Sequence, residues 1–343
     1  MKNRQTNAQR PRVMEMSFSG LHLYLARQLA GRWLVVIISL LTICPAAVKS
    51  SETLLLAPSD SGIYAEFHSA FNNSWSSHCK LKKNRGLAVC LDDSRPVSLT
   101  TNAADVTSPD TLVISLGTKS GEQLVKTRHE GPRFFTLIPA AGFKRLESCC
   151  LNSKTSSVGS LFVDQPLQRQ FALTRELLPG KNRIGILLGK ANQSKKAVLE
   201  KEAKRQGFAI TVKIVDTSSA VGPALKSLVD DIDVLLAVPD HLVYNSTTIV
   251  NLLLSSYRHK IPVIGYSKAL VNAGATAAIY TEVEQLADVA ADEVIGYYRT
   301  QKFGSSHYAD KFTVKVNRDV ARSLGLRPAS DKELKQSIEK TLR

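Results

Sequence analysis

The sequence reads as an α/β protein of two lobes, each a parallel sheet covered by helices, with a central cleft. Three observations lead there. Short apolar runs alternate with helical stretches from Arg183 to Tyr280, the rhythm of a sheet sealed on both faces. The same rhythm recurs, less regularly, from Thr53 to Ile138. The chain has 343 residues, 43% hydrophobic and 22% charged, which is globular in character and too long for one small core.

In the first half, Thr53 to Ala57 is an apolar strand that ends in the turn Pro58-Ser-Asp-Ser-Gly62. Ile63 to Phe71 reads as a helix with Ile63, Phe67 and Ala70 on one face. Ser74 to Asn84 is polar and reads as irregular, and Leu87 to Leu91 as a second strand. Asp92 to Pro109, rich in Ser, Thr, Asp and Pro, gives no helix signal. Thr111 to Leu116 is a buried strand, followed by Gly117-Thr-Lys-Ser120 and a helix to about Lys126. Phe134 to Ile138 is a strand closed by Pro139, and Phe143 to Ser157 has no clear pattern.

The second half is more regular. Strands are expected at Arg183–Leu188, Phe208–Val215, Asp233–Val238 and Ile261–Tyr266. Between them, Asn192 is expected to cap a helix over Gln193–Gln206 that Gly207 ends. A second helix is expected over Ser219–Val229, and Asn245 or Ser246 caps a third that runs to Arg258. After Ser267 come a short helical turn, a stop at Gly274 and the apolar run Ala275–Tyr280. Thr281 and Glu284 form a capping-box pattern that opens a helix through Glu293 toward Tyr298. The connections should be right-handed.

The net charge of +15 falls to +9 without residues 1–50, which hold seven Lys/Arg and one acid. The remaining basic residues are dispersed. The densest cluster, Lys80-Leu-Lys-Lys-Asn-Arg85, has no interleaved aromatics, so it reads as a solvated face and no nucleic-acid partner is expected. Arg27 and Arg32 precede the apolar run Trp33–Ile43, and small residues follow at Pro45-Ala-Ala47 and Ser50-Ser51. That is the three-part layout of a secretory signal peptide and is short for a membrane span, so export and soluble release are expected, with an uncleaved or a lipid anchor as the alternative. Export permits disulfides among Cys79, Cys90, Cys149 and Cys150. Three pairings are open, and a bridge between the adjacent Cys149 and Cys150 ranks last.

No cysteine pair has zinc or redox spacing, and His78 beside Cys79 is no metal motif, so no metal and no cofactor are expected. Gly185-Ile-Leu-Leu-Gly-Lys190 is one residue short of a phosphate loop, and Ala191 replaces the magnesium-binding hydroxyl. With no GxSxG, HExxH or kinase-like set, no enzyme is expected. Asp92-Asp93 and Asp230-Asp231 read as solvent-facing pairs.

What stands out is small polar residues at strand C-terminal ends, where open parallel sheets bind ligands. Ser59 and Asp60 follow the first strand, and Ser115, Gly117 and Thr118 close the third. Asp240, Asn245, Tyr266 and Ser267 hold equivalent places in the second lobe. Backbone N–H groups and hydroxyls at helix starts suit a carboxylate, and Asp240 suits an amine. Singly, such residues also cap helices in any α/β protein. Asp240→Ala and Ser267→Ala are expected to abolish binding and to leave the stability of the unliganded protein within about 1 kcal/mol.

Two stretches carry a family resemblance. Phe162-Val-Asp-Gln-Pro-Leu-Gln-Arg-Gln with Leu177-Leu-Pro-Gly, and Lys260-Ile-Pro-Val-Ile-Gly-Tyr-Ser with Ala273-Gly-Ala275, resemble ABC-transporter substrate-binding proteins of the tryptophan/tyrosine-binding type. The resemblance covers roughly Val158 to Tyr298. It implies a type I periplasmic-binding-protein fold of two Rossmann-like lobes joined by a multi-strand hinge. The leader and signal peptide would then be 1–50 and the N-terminal lobe 51–160, completed by part of 281–343. The C-terminal lobe would be 161–280, and 281–343 a return helix and C-terminal segment. The implied function is periplasmic capture of a small molecule, an amino acid or similar small carboxylate, for the membrane permease of an ABC-type uptake system. In a second reading, the same fold is a sensing or accessory module for a membrane signalling protein.

Overall fold

The computed structural model describes residues 52–83, 97–151 and 157–342. The leader, the Leu87–Leu91 strand and Asp92-Asp93 lie outside them. The described chain opens with β1 (Thr53–Leu56), α1 (Ile63–Lys83) and β2 (Ser98–Thr100). It continues with β3 (Leu112–Leu116), α2 (Gly117–Lys126), β4 (Arg133–Ile138), α3 (Ala140–Cys150) and β5 (Val158–Phe162). The chain then crosses over to α4 (Leu167–Leu177), β6 (Arg183–Gly189), α5 (Lys195–Arg205), β7 (Ala209–Val215) and α6 (Val221–Lys226). Next come β8 (Val234–Leu236), α7 (Ile249–Arg258), β9 (Val263–Gly265), α8 (Lys268–Asn272) and β10 (Ala277–Tyr280). Last are α9 (Val283–Thr300), β11 (His307–Tyr308), β12 (Thr313–Val316), α10 (Arg318–Ser323) and α11 (Asp331–Thr341).

The strands form two six-stranded sheets, ordered β2-β1-β3-β4-β5-β11 and β7-β6-β8-β9-β10-β12. All pairings are parallel except β10 with β12. In both sheets the order reverses beside the first strand, at β1/β3 and at β6/β8. These are topological switch points, where the flanking loops diverge and leave a crevice at the strand C-termini.

Each sheet is buried on both faces. In the first, Leu55, Leu112, Ile114 and Phe134 pack with Phe67 and Phe71 of α1 and with Ala287, Ala290 and Val294 of α9. Leu56, Val113 and Phe135 point the other way, onto Phe143 and Leu146 of α3. This alternation follows the period-two geometry of a strand.

Helix α1 extends well past Phe71, through the stretch read as irregular. Phe67, Phe71, Trp75 and Cys79 recur every four residues and are all buried. Phe67–Phe71 and Phe71–Trp75 stack with centroids 6.0 and 5.9 Å apart. Polar Asn, Ser and His between them fill the outer face, which hides the stripe from a local reading. Of the stretch without pattern, Phe143 to Cys150 belongs to helix α3, held by Phe143 and Leu146. Helix α2 starts at Gly117 itself (φ 85°), with no intervening turn.

Two caps differ from expectation. Asn192 lies in a 3-10 turn ahead of α5 and does not cap it. The capping box of α9 uses Glu282 and Gln285, one residue beyond Thr281 and Glu284. Cys149 and Cys150, ranked the last pairing, are bonded to each other, with Cα atoms 3.7 Å apart. They end α3 at an exposed position. Cys79 is disulfide-bonded as well.

Candidate functional site

The chain passes between the sheets at Phe162–Leu167, Tyr280–Val283 and Tyr308–Thr313. The first two leave the C-terminal ends of β5 and β10. The third leaves β11, which is parallel to β5, and enters β12 beside the C-terminal end of β10. The C-terminal edges of both sheets therefore meet at one junction.

Side chains tie these crossovers together. Gln165 Nε2 donates to Thr281 Oγ1 (2.7 Å), and that hydroxyl donates to the Lys311 carbonyl (3.0 Å). Arg169 donates to Gln165 Oε1 (2.8 Å) and to the Ala309 carbonyl (2.7 Å), with its guanidinium 4.7 Å from the Phe312 ring centroid. Gln165 and Thr281 are buried, so each hydrogen bond offsets a desolvation penalty. The Thr281 hydroxyl is thus engaged at the crossovers, and the capping box of α9 is made by Glu282 and Gln285.

In the first lobe, Ser59 and Asp60 lie in the loop after β1, and Gly117 and Thr118 open α2 after β3. Leu56 of β1 is in register with Ser115 of β3, so the two loops flank the first switch point. Asp60 is exposed, and Ser61 Oγ donates to Ser59 Oγ (3.5 Å). Gly117 is buried beside Tyr64, whose hydroxyl lies 3.2 Å from where a Cβ would stand. Ser115 belongs to the strand and not to its end. It is fully buried, and its Oγ has no hydrogen-bond partner.

In the second lobe, Asp240 staples the other switch point. Its Oδ2 accepts from Gly189 N (2.8 Å) and Asn192 Nδ2 (2.8 Å), on the β6 side. Its Oδ1 accepts from Leu242 N (2.9 Å) and Val243 N (3.3 Å), on the β8 side. Both oxygens are engaged inside the protein, and the residue is 5% exposed. Asn245 organises the same loop: Oδ1 accepts from the Thr247 and Thr248 N–H groups, and Nδ2 donates to the His241 and Leu242 carbonyls. Ser267 caps α8 by accepting from Leu270 N (3.3 Å).

Tyr266, half-buried, meets Tyr244 edge-on at 5.9 Å. Burial, helped by the charge of Asp240, pushes the Tyr266 hydroxyl up to about 12. Burial likewise raises Tyr244, whose hydroxyl has no hydrogen-bond partner. Tyr244 was not among the residues singled out from sequence, although it lies four residues after Asp240.

Two charged groups at the junction were also missed. Asp164, in the first crossover, accepts from Ala140 N at the start of α3 (2.9 Å). Burial raises its pKa above the usual carboxylate range, against that hydrogen bond and the positive charge of Lys195. Lys195, opening α5, donates to the Pro239 carbonyl (3.3 Å). Burial lowers its pKa, and Asp240 and then Asp164 oppose the shift. No group of three or more His, Cys, Asp or Glu side chains that could hold a metal ion is formed among the described residues.

Paired sheets of this strand order, joined by crossovers at their carboxyl edges, define a type I periplasmic-binding-protein fold. The chain belongs to the family described as ABC transporter substrate binding protein, whose profile matches residues 98–331. This is a family of solute-binding proteins, not enzymes. A curated relative, the tyrosine-binding protein of Clostridioides difficile (strain R20291), is 25% identical over 233 residues. That match covers 65% of this chain and 66% of the relative, just under two thirds of its length. Among solved structures, the ligand-free, open form of a Clostridium difficile substrate binding protein with adhesive properties aligns with a TM-score of 0.64 and 17% identity. The alignment covers 82% of this chain and 97% of that one. An ABC domain from Streptococcus pneumonia in complex with L-Trp aligns with a TM-score of 0.57 and 13% identity, covering 83% and 98%.

Proposed function

We propose that this chain is an exported, periplasmic solute-binding protein that captures an amino acid or similar small carboxylate between its lobes and delivers it to an ABC-type permease. The observation that carries the reading is geometric. Both switch-point crevices open onto one junction, and a hydrogen-bonded three-crossover hinge lies beside it. The relatives support the ligand class, since one is named for tyrosine and another holds L-Trp.

Ser59, Asp60, Gly117 and Thr118 supply the first-lobe face. Tyr266 and Ser267 supply the second, and the apolar body of Tyr266 suits the side chain of a ligand. Asp240 and Asn245 shape the rim through their internal hydrogen bonds. Ser115 contributes from beneath it. Binding draws the lobes together about the hinge, provided that the ligand prefers the closed state.

A thermal-shift screen of the purified chain against amino acids, small carboxylates, nucleosides and sugars tests this. A ligand at 1,000 times its dissociation constant adds about 4 kcal/mol, which raises the melting midpoint by several degrees. Shifts confined to amino acids or carboxylates are expected. Shifts only with sugars or nucleosides would overturn the ligand class, and no shift in any class would overturn solute binding.

A further inference from the structure

We propose that Lys195 and Asp164 are the two charged poles of the ligand site: Lys195 takes the carboxylate of a zwitterionic amino acid, and Asp164 takes its ammonium. The inference deepens the reading above and rests on it.

The two groups face the junction from opposite sides. Asp164 sits where β5 leaves the first sheet and is fixed by an N–H of the first lobe, Ala140. Lys195 sits where β6 has turned into α5 and is fixed by a carbonyl of the second lobe, Pro239. Each senses the charge of the other, yet no ion pair within 4.0 Å joins Lys195 to Asp164 or to Asp240. The separation therefore exceeds direct contact but lies within electrostatic range.

Both groups also have bonding capacity in reserve. An ammonium has three donors, and Lys195 uses one among the described residues. A carboxylate has about four acceptor positions, and among the described residues Asp164 accepts from the Ala140 N–H and from its own backbone N–H. Partly buried charges left short of partners are unfavourable, and a dipolar ligand lying between them relieves both at once. Asp240 cannot serve as the amine partner, because its oxygens already accept four internal hydrogen bonds. The unpartnered, buried hydroxyl of Tyr244, beside Asp240 and Tyr266, adds a neutral donor or acceptor on the Lys195 side.

Nothing comparable exists for a sugar, which carries no opposed charges. A bare amine or a bare acid satisfies only one pole. The arrangement therefore selects for a ligand that carries both an ammonium and a carboxylate.

The test is calorimetric titration of wild type, Lys195→Met, Lys195→Arg and Asp164→Asn. The probes are the tightest-binding of the twenty standard L-amino acids, its decarboxylated amine and its deaminated acid. Lys195→Met is expected to weaken the amino acid and the acid by about ten- to a hundredfold, the scale of one charge-assisted hydrogen bond, and to leave the amine unchanged. Asp164→Asn is expected to do the reverse: it weakens the amino acid and the amine and spares the acid. Lys195→Arg, which keeps the charge, retains most of the affinity. If wild type binds an amino acid and both neutral variants bind it equally well, the poles are wrong while solute binding stands. A uniform loss for all three probes marks a structural role and overturns the assignment too. If none of the twenty binds to wild type, the proposal and the amino-acid reading fall together.

Discussion

Removing the Asp240 carboxylate separates a ligand contact from a structural staple. Asp240→Ala deletes an acceptor for two buried main-chain N–H groups, Gly189 and Val243, and for the Leu242 N–H and the Asn192 amide. Each buried N–H left without a partner costs about 1–3 kcal/mol. With some relaxation of the loop, the total comes to about 3–5 kcal/mol. Asp240→Asn keeps one acceptor but turns its own amide toward the Gly189 N–H, so the loss stays above about 1 kcal/mol. Space for the staple comes from Gly189, where a Cβ would stand 2.9 Å from Asp240 Oδ1. The assay is equilibrium urea unfolding of the ligand-free variants, followed by far-ultraviolet circular dichroism. A change under about 1 kcal/mol for Asp240→Ala would refute the staple and restore the view of Asp240 as a ligand contact.

Other outcomes follow from the same physics. Gln165→Leu breaks the link among the three crossovers, leaves Thr281 and Arg169 short of partners, and should lower stability by about 2–3 kcal/mol in a urea titration. Phe71→Ala opens a cavity in the α1–α9 packing and should cost about 3–5 kcal/mol, whereas a helix that ended at Phe71 would tolerate it better. Asp233 is held below the usual carboxylate range chiefly by its hydrogen bonds to Arg183. Its folded pKa is depressed, so its contribution is present above the unfolded value of about 3.9 and is lost as pH falls through the folded one. Wild type should therefore lose more stability than Asp233→Asn between pH 5 and pH 2, read as the shift in urea midpoint, with these pH limits being about one and two units to either side of the unfolded value.

The second lobe was the more legible half because its signals are local. Apolar runs such as Arg183–Leu188 sit wholly inside strands, and Gly207 and Gly274 take positive φ where the chain must stop a helix. Helix α1 was truncated in the sequence reading because its stripe is only one residue in four, and its partner, α9, lies more than two hundred residues away in sequence. Helix α3 was missed because it is held by only two large apolar side chains, Phe143 and Leu146, on one face.

The places of the candidate residues in the fold were legible, but their contacts were not. Strand C-terminal ends can be read from apolar runs, so Gly117, Thr118, Tyr266 and Ser267 fall at the carboxyl edges of the two sheets. Whether a carboxylate faces inward or outward depends on partners that only the tertiary structure supplies. Asp240 finds its donors fifty residues upstream, at Gly189 and Asn192. Asp164 and Lys195 gave no motif, because they lie 31 residues apart in sequence and are brought near one another only by the fold. Asp164 did lie within the Phe162-Val-Asp-Gln-Pro stretch that carried the family resemblance, which was the available signal.

The most direct test is isothermal titration of the purified chain with L-tyrosine, L-tryptophan and the other standard amino acids. Saturable one-to-one binding of at least one, with a negative heat-capacity change from burying the ligand's apolar surface, is the predicted result. No saturable heat with any amino acid, from protein that unfolds cooperatively, would contradict it.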